Sequence, residues 1–444
     1  MRVRVWKAIL LAVFAIGAAW SEELTLPEAM QLAREHHASV KVAAAEAEAA
    51  YQRLQQAKGF RLPAVTFQEI FIRTNAPAEA FALKLNQERF SFGSFMTTDP
   101  NDPARLTTGI SRFELQLPVF TGGELSSRIG QAQAAEEAST LSHRWRQDQA
   151  ALAAAEAFVM LAQAREYVRL LEKARETVAA HVAMARAYVD QGMLVESEYL
   201  RAEVELARID DLLAQARGQE KVAQANLAFR LGLDQDRQFE LPLLPEPQPP
   251  RNGLDFYLAS SAARPDLKAA QALVKAAELE VKVKKAAFFP KVGLIARADW
   301  FDDKIFGTHG DSTTVMAAAS MNLFAGGTNR AAVAAAKADA RAGHEQVALF
   351  AQGIQLEVRQ AFTEAQVAAA RAETANKALR AAAETERVVS ERFRQGVVKM
   401  IDVLDAATAR REAETRELVA RSEAHKALLR LAVKAGLQPE TALP

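Results

Sequence analysis

From Arg112 to Leu117 the chain alternates residue by residue, with Phe113, Leu115 and Leu117 set against Arg112, Glu114 and Gln116. A period of two places each set on its own side of an extended strand. Val292, Leu294, Ala296, Ala298 and Trp300 alternate likewise with Lys291, Arg297 and Asp299, although Ile295 interrupts the polar side. Val65, Phe67 and Phe71 oppose Thr66 and Gln68, and Val315, Ala317, Ala319, Met321 and Leu323 oppose Ser320 and Asn322. The pattern predicts four strands of roughly ten residues, a length that suits a tilted membrane strand and an ordinary half-buried hairpin equally well.

Elsewhere the period is helical. A first helical stretch runs from about Pro27 to Lys58, with a break near His37, and another from about Asp255 to Ala287, with a break before Pro265, because proline disfavours helix in the residue ahead of it. Much longer stretches cover 123–191 and 327–395 and are rich in Ala, Leu, Glu, Gln and Arg. At 1.5 Å per residue each would be roughly 100 Å of helix, more than a globular core requires. Their shallow apolar pattern suits helices packed side by side as in a coiled coil. Gly192 and Gly396 end them, and return helices are expected over 196–232 and 400–435.

These elements occur twice. A shift of 204 positions carries Gly192 onto Gly396, Phe120-Thr121-Gly122-Gly123 onto Phe324-Ala325-Gly326-Gly327, and Leu231-Gly232-Leu233 onto Ala435-Gly436-Leu437. Upstream, a shift of 227 lays Gly59-Phe60-Arg61-Leu62-Pro63 over Ala286-Ala287-Phe288-Phe289-Pro290, so the first copy carries 23 extra residues between Pro63 and Phe120. The first copy is expected over 22–235 with a β-hairpin at 63–119. The second is expected over 254–444 with its hairpin at 290–324, and a proline-rich linker at 236–253 joins the two. The extra residues, around 76–103, contain Phe81, Phe90, Phe92 and Phe95 and suit an external loop, a loop helix or a plug.

Charge and composition narrow the function. Lys+Arg and Asp+Glu both total 55, so no global field attracts nucleic acid. Arg2, Arg4 and Lys7 precede an apolar run from Ala8 to Trp20, which predicts a secretory signal peptide over residues 1–21, cleaved after Ala19 or Ser21. The chain has no cysteine, which excludes disulfides and thiolate metal sites. Of the seven histidines only His36 and His37 are adjacent, and adjacent residues do not share a helix face, so no metal site is expected. Neither a nucleophile with its base nor a glycine-rich phosphate loop can be assembled, so no enzyme and no cofactor is expected.

Four strands cannot close a membrane barrel, and an open sheet edge in lipid leaves backbone groups unpaired. Several chains would have to contribute strands to one barrel. With that plan, the stretch Leu117-Pro118-Val119-Phe120-Thr121-Gly122-Gly123, its partner Leu323-Phe324-Ala325-Gly326-Gly327, and Gly396-Val397-Val398-Lys399-Met400-Ile401-Asp402-Val403-Leu404-Asp405-Ala406, the chain resembles the TolC family of outer-membrane efflux and secretion channels. The resemblance spans nearly all of the mature sequence. It implies a mainly α protein with a small β part, in which long antiparallel helices form an α-barrel and four strands per chain enter a trimeric, twelve-stranded β-barrel. It also implies an outer-membrane location reaching into the periplasm of a Gram-negative cell, and as partners a periplasmic adaptor, an inner-membrane transporter and outer-membrane lipid. The competing expectation is a secreted periplasmic coiled-coil spacer.

Candidate residues lie at the helix turns. Asp402 and Asp405 are three apart and share a helix face; the resemblance implies that this Asp-Val-Leu-Asp stretch rings the narrow periplasmic entrance. Glu198 is the first-copy counterpart of Asp402. The resemblance also implies a latch in which an acidic residue meets an arginine and a tyrosine of the second copy, but those positions hold Val398 and Phe393 here. A weaker closed state, with Lys399 meeting Glu196 or Glu198, is expected instead. Gly192, Met193 and Leu194, with Gly396, Val397 and Val398, form the helix-tip turns, where exposed apolar side chains would meet the adaptor.

Overall fold

A computed structural model describes residues 23–442; the expected signal peptide lies outside them. Ten helices and four strands follow one another in the described residues: α1 Leu26–His36, α2 Ala38–Gly59, β1 Ala64–Thr74, α3 Pro77–Asn86, α4 Phe92–Thr97, β2 Leu106–Phe120, α5 Glu124–Asp190, α6 Glu196–Leu231, α7 Leu254–Ser261, α8 Pro265–Lys285, β3 Lys291–Asp302, β4 Gly310–Ser320, α9 Thr328–Arg394 and α10 Met400–Lys434. The breaks fall at His37 and ahead of Pro265, and the two longest helices have 67 residues each. β2 is longer than its clean alternation suggests, reaching back to Leu106. β4 lies earlier than expected and stops at Ser320, so Met321 and Leu323 fall beyond the strand.

The chain forms two compact units. One consists of residues 23–44, 142–265 and 351–442, all helices and linker. Its cores repeat with the sequence. Ala154, Ala157, Leu161, Ala223, Leu227 and Leu231 share one buried cluster with Met30 and Phe158. Their counterparts 204 positions on, Val358, Ala361, Ala365, Ala427, Leu431 and Ala435, share a second cluster with Tyr257. Alanines at so many contact positions let helix backbones approach closely, and the larger side chains fill the remaining space. Arg421 and Arg430 of α10 pair with Glu166 and Glu156 of α5 across the helices.

The other unit holds residues 45–141 and 266–350. Its strands form one antiparallel sheet in the order β1-β2-β3-β4, so the two hairpins join through β2 and β3. Direct pairs such as Arg112 with Asp299 and Gln68 with Arg112 define the register. One face carries Val65, Phe67, Phe113, Leu115, Ala296, Ala298, Trp300 and Val315, with the Phe67 and Phe113 rings 4.8 Å apart. The opposite face carries Thr66, Gln68, Arg112, Glu114, Arg297, Asp299 and Thr314. There Arg112 donates to Asp299 at 2.7 Å and Arg297 to Glu114 at 2.8 Å, both as cross-strand neighbours. The apolar face is open in the single chain: Val315 is 75% exposed and Phe71 55%.

Candidate functional site

Two turns carry the predicted site residues, and their glycine-centred backbone bonds recur in both copies. Gly192 and Gly396 adopt φ of 72° and 74°, the left-handed conformation that glycine reaches without a Cβ clash. The Gly192 N–H donates to the Val189 carbonyl at 2.9 Å and the Met193 N–H to Tyr188 at 2.9 Å. In the second copy Gly396 donates to Phe393 at 2.8 Å and Val397 to Arg392 at 2.9 Å. Each return helix then opens with an acid in its third position: the Glu198 N–H reaches the Val195 carbonyl at 3.0 Å and the Asp402 N–H that of Lys399 at 3.1 Å.

The acids have different surroundings. The Asp402 carboxylate accepts the Lys399 backbone N–H at 2.9 Å, so it satisfies a donor at the start of α10 and favours the helix dipole. Glu198 has one carboxylate oxygen shut off from solvent with no hydrogen-bond partner among the described residues. A buried oxygen left unpaired is costly. Asp402 and Asp405 are both exposed, while Val403 and Leu404 between them point into the core. The shared acidic face expected from their spacing is therefore present.

Beneath the turns, Ala185, Ala202, Phe393, Met400, Val403 and Leu404 form a closed apolar cluster. Phe393 is buried there, its ring 6.0 Å from that of Tyr188. A phenylalanine thus fills core space at the expected latch position and offers no hydroxyl. Lys399 and Glu196 are exposed, and no bond joins Lys399 to Glu196 or Glu198 among the described residues of one chain. Leu194 and Val398 pack against the cluster and are only partly exposed. Met193 and Val397 remain 62% and 68% exposed, and Val195, not singled out from the sequence, is 64% exposed.

Farther along the helices lies a charged layer that sequence reasoning missed. Arg410 donates to Glu386 at 2.6 Å and to Glu414 at 3.0 Å, and Arg411 to Glu205 at 3.1 Å, tying α10 to α9 and α6. Glu386 and Arg411 are buried. The Arg410–Glu386 and Arg411–Glu205 pairings join residues 24 and 206 positions apart, and no local spacing marks them. On α5, His181 has both ring nitrogens buried and unpaired. Burial pushes its imidazole below the ordinary histidine range, with Arg394 lowering it further and Glu386 opposing.

Among the described residues no cluster of His, Asp and Glu is arranged to hold a metal ion, and no helix is long and apolar enough to cross a membrane. The arrangement presents one largely apolar sheet face, one more charged face, and helix tips bearing exposed carboxylates and apolar side chains.

Comparison with known proteins agrees with that arrangement. The family profile described as "Outer membrane efflux protein" matches residues 29–233 and 259–437, one segment in each copy. The chain is 28% identical over 324 residues to the outer membrane efflux protein BepC of Brucella suis biovar 1, covering 71% of this chain and 69% of that protein. Its fold is similar to that of the outer membrane protein VceC of Vibrio cholerae, with a TM-score of 0.77, 19% identity, and coverage of 93% of this chain and 96% of the other. It is likewise similar to the MtrE outer membrane channel of Neisseria gonorrhoeae in its open state, with a TM-score of 0.75, 19% identity, and coverage of 93% and 89%. With most of both copies matched, the chain belongs to the outer membrane efflux protein family, a family of channels of the Gram-negative outer membrane rather than of enzymes.

Proposed function

We propose that three copies of this chain assemble into the exit duct of a tripartite efflux pump or a type I secretion system. The observation that carries this reading is the sheet: among the described residues β1 pairs only with β2 and β4 only with β3, while one face exposes a largely apolar surface that includes Val65, Phe67, Phe71, Phe113 and Val315, its Glu69 bonded to Ser111. Such a sheet has two unpaired edges, which lipid does not tolerate. Joining β4 of one copy to β1 of the next removes every edge, and three copies give twelve strands with the apolar face outward and the Arg112–Asp299 and Arg297–Glu114 pairs facing the lumen. A periplasmic spacer would leave the same face uncovered.

Within that duct Asp402 and Asp405 of three chains form a carboxylate ring at the periplasmic entrance, which favours cations over anions. The unpaired Glu198 oxygen fits a role in closing the entrance, with Lys399 of a neighbouring copy as the cation. Met193, Val195 and Val397 supply apolar tips for a periplasmic adaptor, through which an inner-membrane transporter delivers cargo. Fractionation tests the assembly: a heat-modifiable trimer in the outer membrane is expected, and a soluble periplasmic monomer overturns it. Lys399→Ala tests the closure, which is abandoned if single-channel conductance in planar bilayers stays at the parental value.

A further inference from the structure

The 23 extra residues of the first copy have a definite side. α3 lies on the charged face of the sheet, not on the apolar one. Its Leu83 packs on Ile110 and Phe301 with Ile70, Ile72 and Leu106 around them, and the register puts all five on the same side as Arg112, Glu114 and Asp299. The buried Gln87 fastens the end of α3 to that side. Its amide donates to the Thr107 carbonyl at 2.9 Å, to the Thr108 hydroxyl at 2.8 Å and to the Asp302 carbonyl at 3.3 Å. The backbone comes so close at Gly310, on the same face of β4, that a Cβ there would lie 2.1 Å from the Asn86 carbonyl oxygen. Arg89, just past α3, also ties the segment to the end of β3, reaching Asp302 at 2.9 Å and Asp303 at 2.7 Å.

Beyond these anchors Phe81, Phe90, Phe92 and Phe95 form a ring cluster with centroids 5.5 to 6.4 Å apart. The cluster does not bury itself: Phe92 is 72% exposed and Met96 71%. The attachment is at the strand ends away from the long helices, since α5 follows β2 directly while the insertion joins Thr74 to Leu106.

We infer that the three insertions of the assembled channel fold into the barrel and meet one another at its outer mouth, where their phenylalanines form an apolar constriction. This rests on the trimeric barrel proposed above. Size decides what covers the cluster. Twelve strands about 4.8 Å apart and tilted by about 40° enclose a barrel roughly 24 Å across between backbones. Three helices of about 10–12 Å side by side around an axis need roughly 22–26 Å. Insertions held against the inner wall therefore fill the mouth, and the surface each exposed cluster meets is the same cluster of the other two copies. Such a contact excludes water and ions by dewetting and yields to apolar cargo without breaking hydrogen bonds.

The absence of cysteine makes a direct test possible. With Phe92→Cys or Met96→Cys as the only thiol, oxidation in isolated outer membranes is expected to give covalent dimers of the chain, whereas Phe71→Cys on the lipid face should give none. In a second arm, Thr314→Cys on the inner wall is exposed to a membrane-impermeant maleimide added to whole cells. Replacing residues 75–105 by Asn-Gly, a two-residue turn that closes the ladder at Thr74 and Leu106, should speed its labelling severalfold. An intact trimer that neither cross-links at 92 or 96 nor gains labelling at 314 overturns the constriction alone. If neither the parent nor the variants form a trimer, the channel assembly itself fails, and the constriction with it.

Discussion

The two helix tips and the two hairpin connections descend from the same duplicated pattern, yet only the tips have kept it. At the tips the glycines agree to within 2° in φ, the capping bonds recur 204 positions apart, and even the third-position acid recurs. At the far end of the strands the connections have diverged completely. The first-copy connection, with α3 and α4, folds onto the charged face over Gly310. The short second-copy connection folds onto the other face, where a Cβ at Gly109 would lie 2.4 Å from the Lys304 carbonyl oxygen and where Phe306 stacks on Phe67. Each connection rests on a glycine of the other hairpin, one inside and one outside. A tip turn is held by bonds within a few residues, so a copied sequence rebuilds it. A connection is held by whichever surface it meets, and one insertion suffices to change that surface.

The largest expected difference between the copies is in their cores. Phe158 is fully buried, whereas its counterpart Phe362 is only partly buried beside Tyr257. Phe158→Ala should cost about 3–5 kcal/mol, and Phe362→Ala clearly less, measured as the fall in denaturation midpoint. Equal losses would mean that the copies are packed alike despite the difference in burial.

Substitution at the tips should show the opposite, a matched response. Gly192→Ala and Gly396→Ala each place a side chain in the left-handed region at a cost of about 1–2 kcal/mol. Apart from the adjoining residues, no atom lies within 4 Å of the added Cβ at either site, so the cost is conformational and should be the same in both. Unequal midpoints would break the equivalence of the turns.

A smaller effect separates the copies by pH. His181 has Thr385 as its counterpart, so only the first copy buries an unpaired imidazole there. Its affinity for protons is lowered in the folded chain, chiefly by burial. As pH falls through the ordinary histidine value of about 6.5, the unfolded chain takes up a proton that the folded one resists. Stability attributable to this site is therefore complete above that pH, declines below it, and levels off only beneath the lowered value. His181→Gln should flatten the loss of thermal stability between about pH 7 and pH 5. An unchanged slope assigns the loss to His37 or His425, which burial lowers in the same direction.

The smallest effect concerns the entrance. Asp405 stands where the first copy has Arg201, and Asp402 has a capping bond that Asp405 lacks. Asp405→Asn should reduce cation selectivity, read as a reversal potential across a salt gradient, and leave stability unchanged. Asp402→Asn should reduce both, with a stability loss of about 0.3–1 kcal/mol. An unaltered reversal potential in both variants removes the proposed ring.

Much of this molecule was legible in the chain because its signals are local. Alternation over Arg112–Leu117 marks the two faces of β2, glycine marks the ends of α5 and α9, and the shift of 204 marks the repeated cores. The apolar Ile70, Ile72, Ile110 and Phe301 on the otherwise charged face were a further signal: they break the alternation where Leu83 covers them. The residues at the expected latch positions were less legible. Phe393 is a core position with Val398 packed against it, and the part-buried Glu386–Arg410 and Glu205–Arg411 pairs have no signature in spacing.

The sequence by itself determined the repeated helices and strands, their duplication and the more apolar side of β2 and β3, because those depend on periods of two and 3.6 residues and on single glycines. Only the tertiary structure decided which face the insertion covers, which charges are buried together and which tip side chains stay free. Those outcomes depend on surfaces brought together from opposite ends of the chain, and no local pattern records which surface a segment will meet.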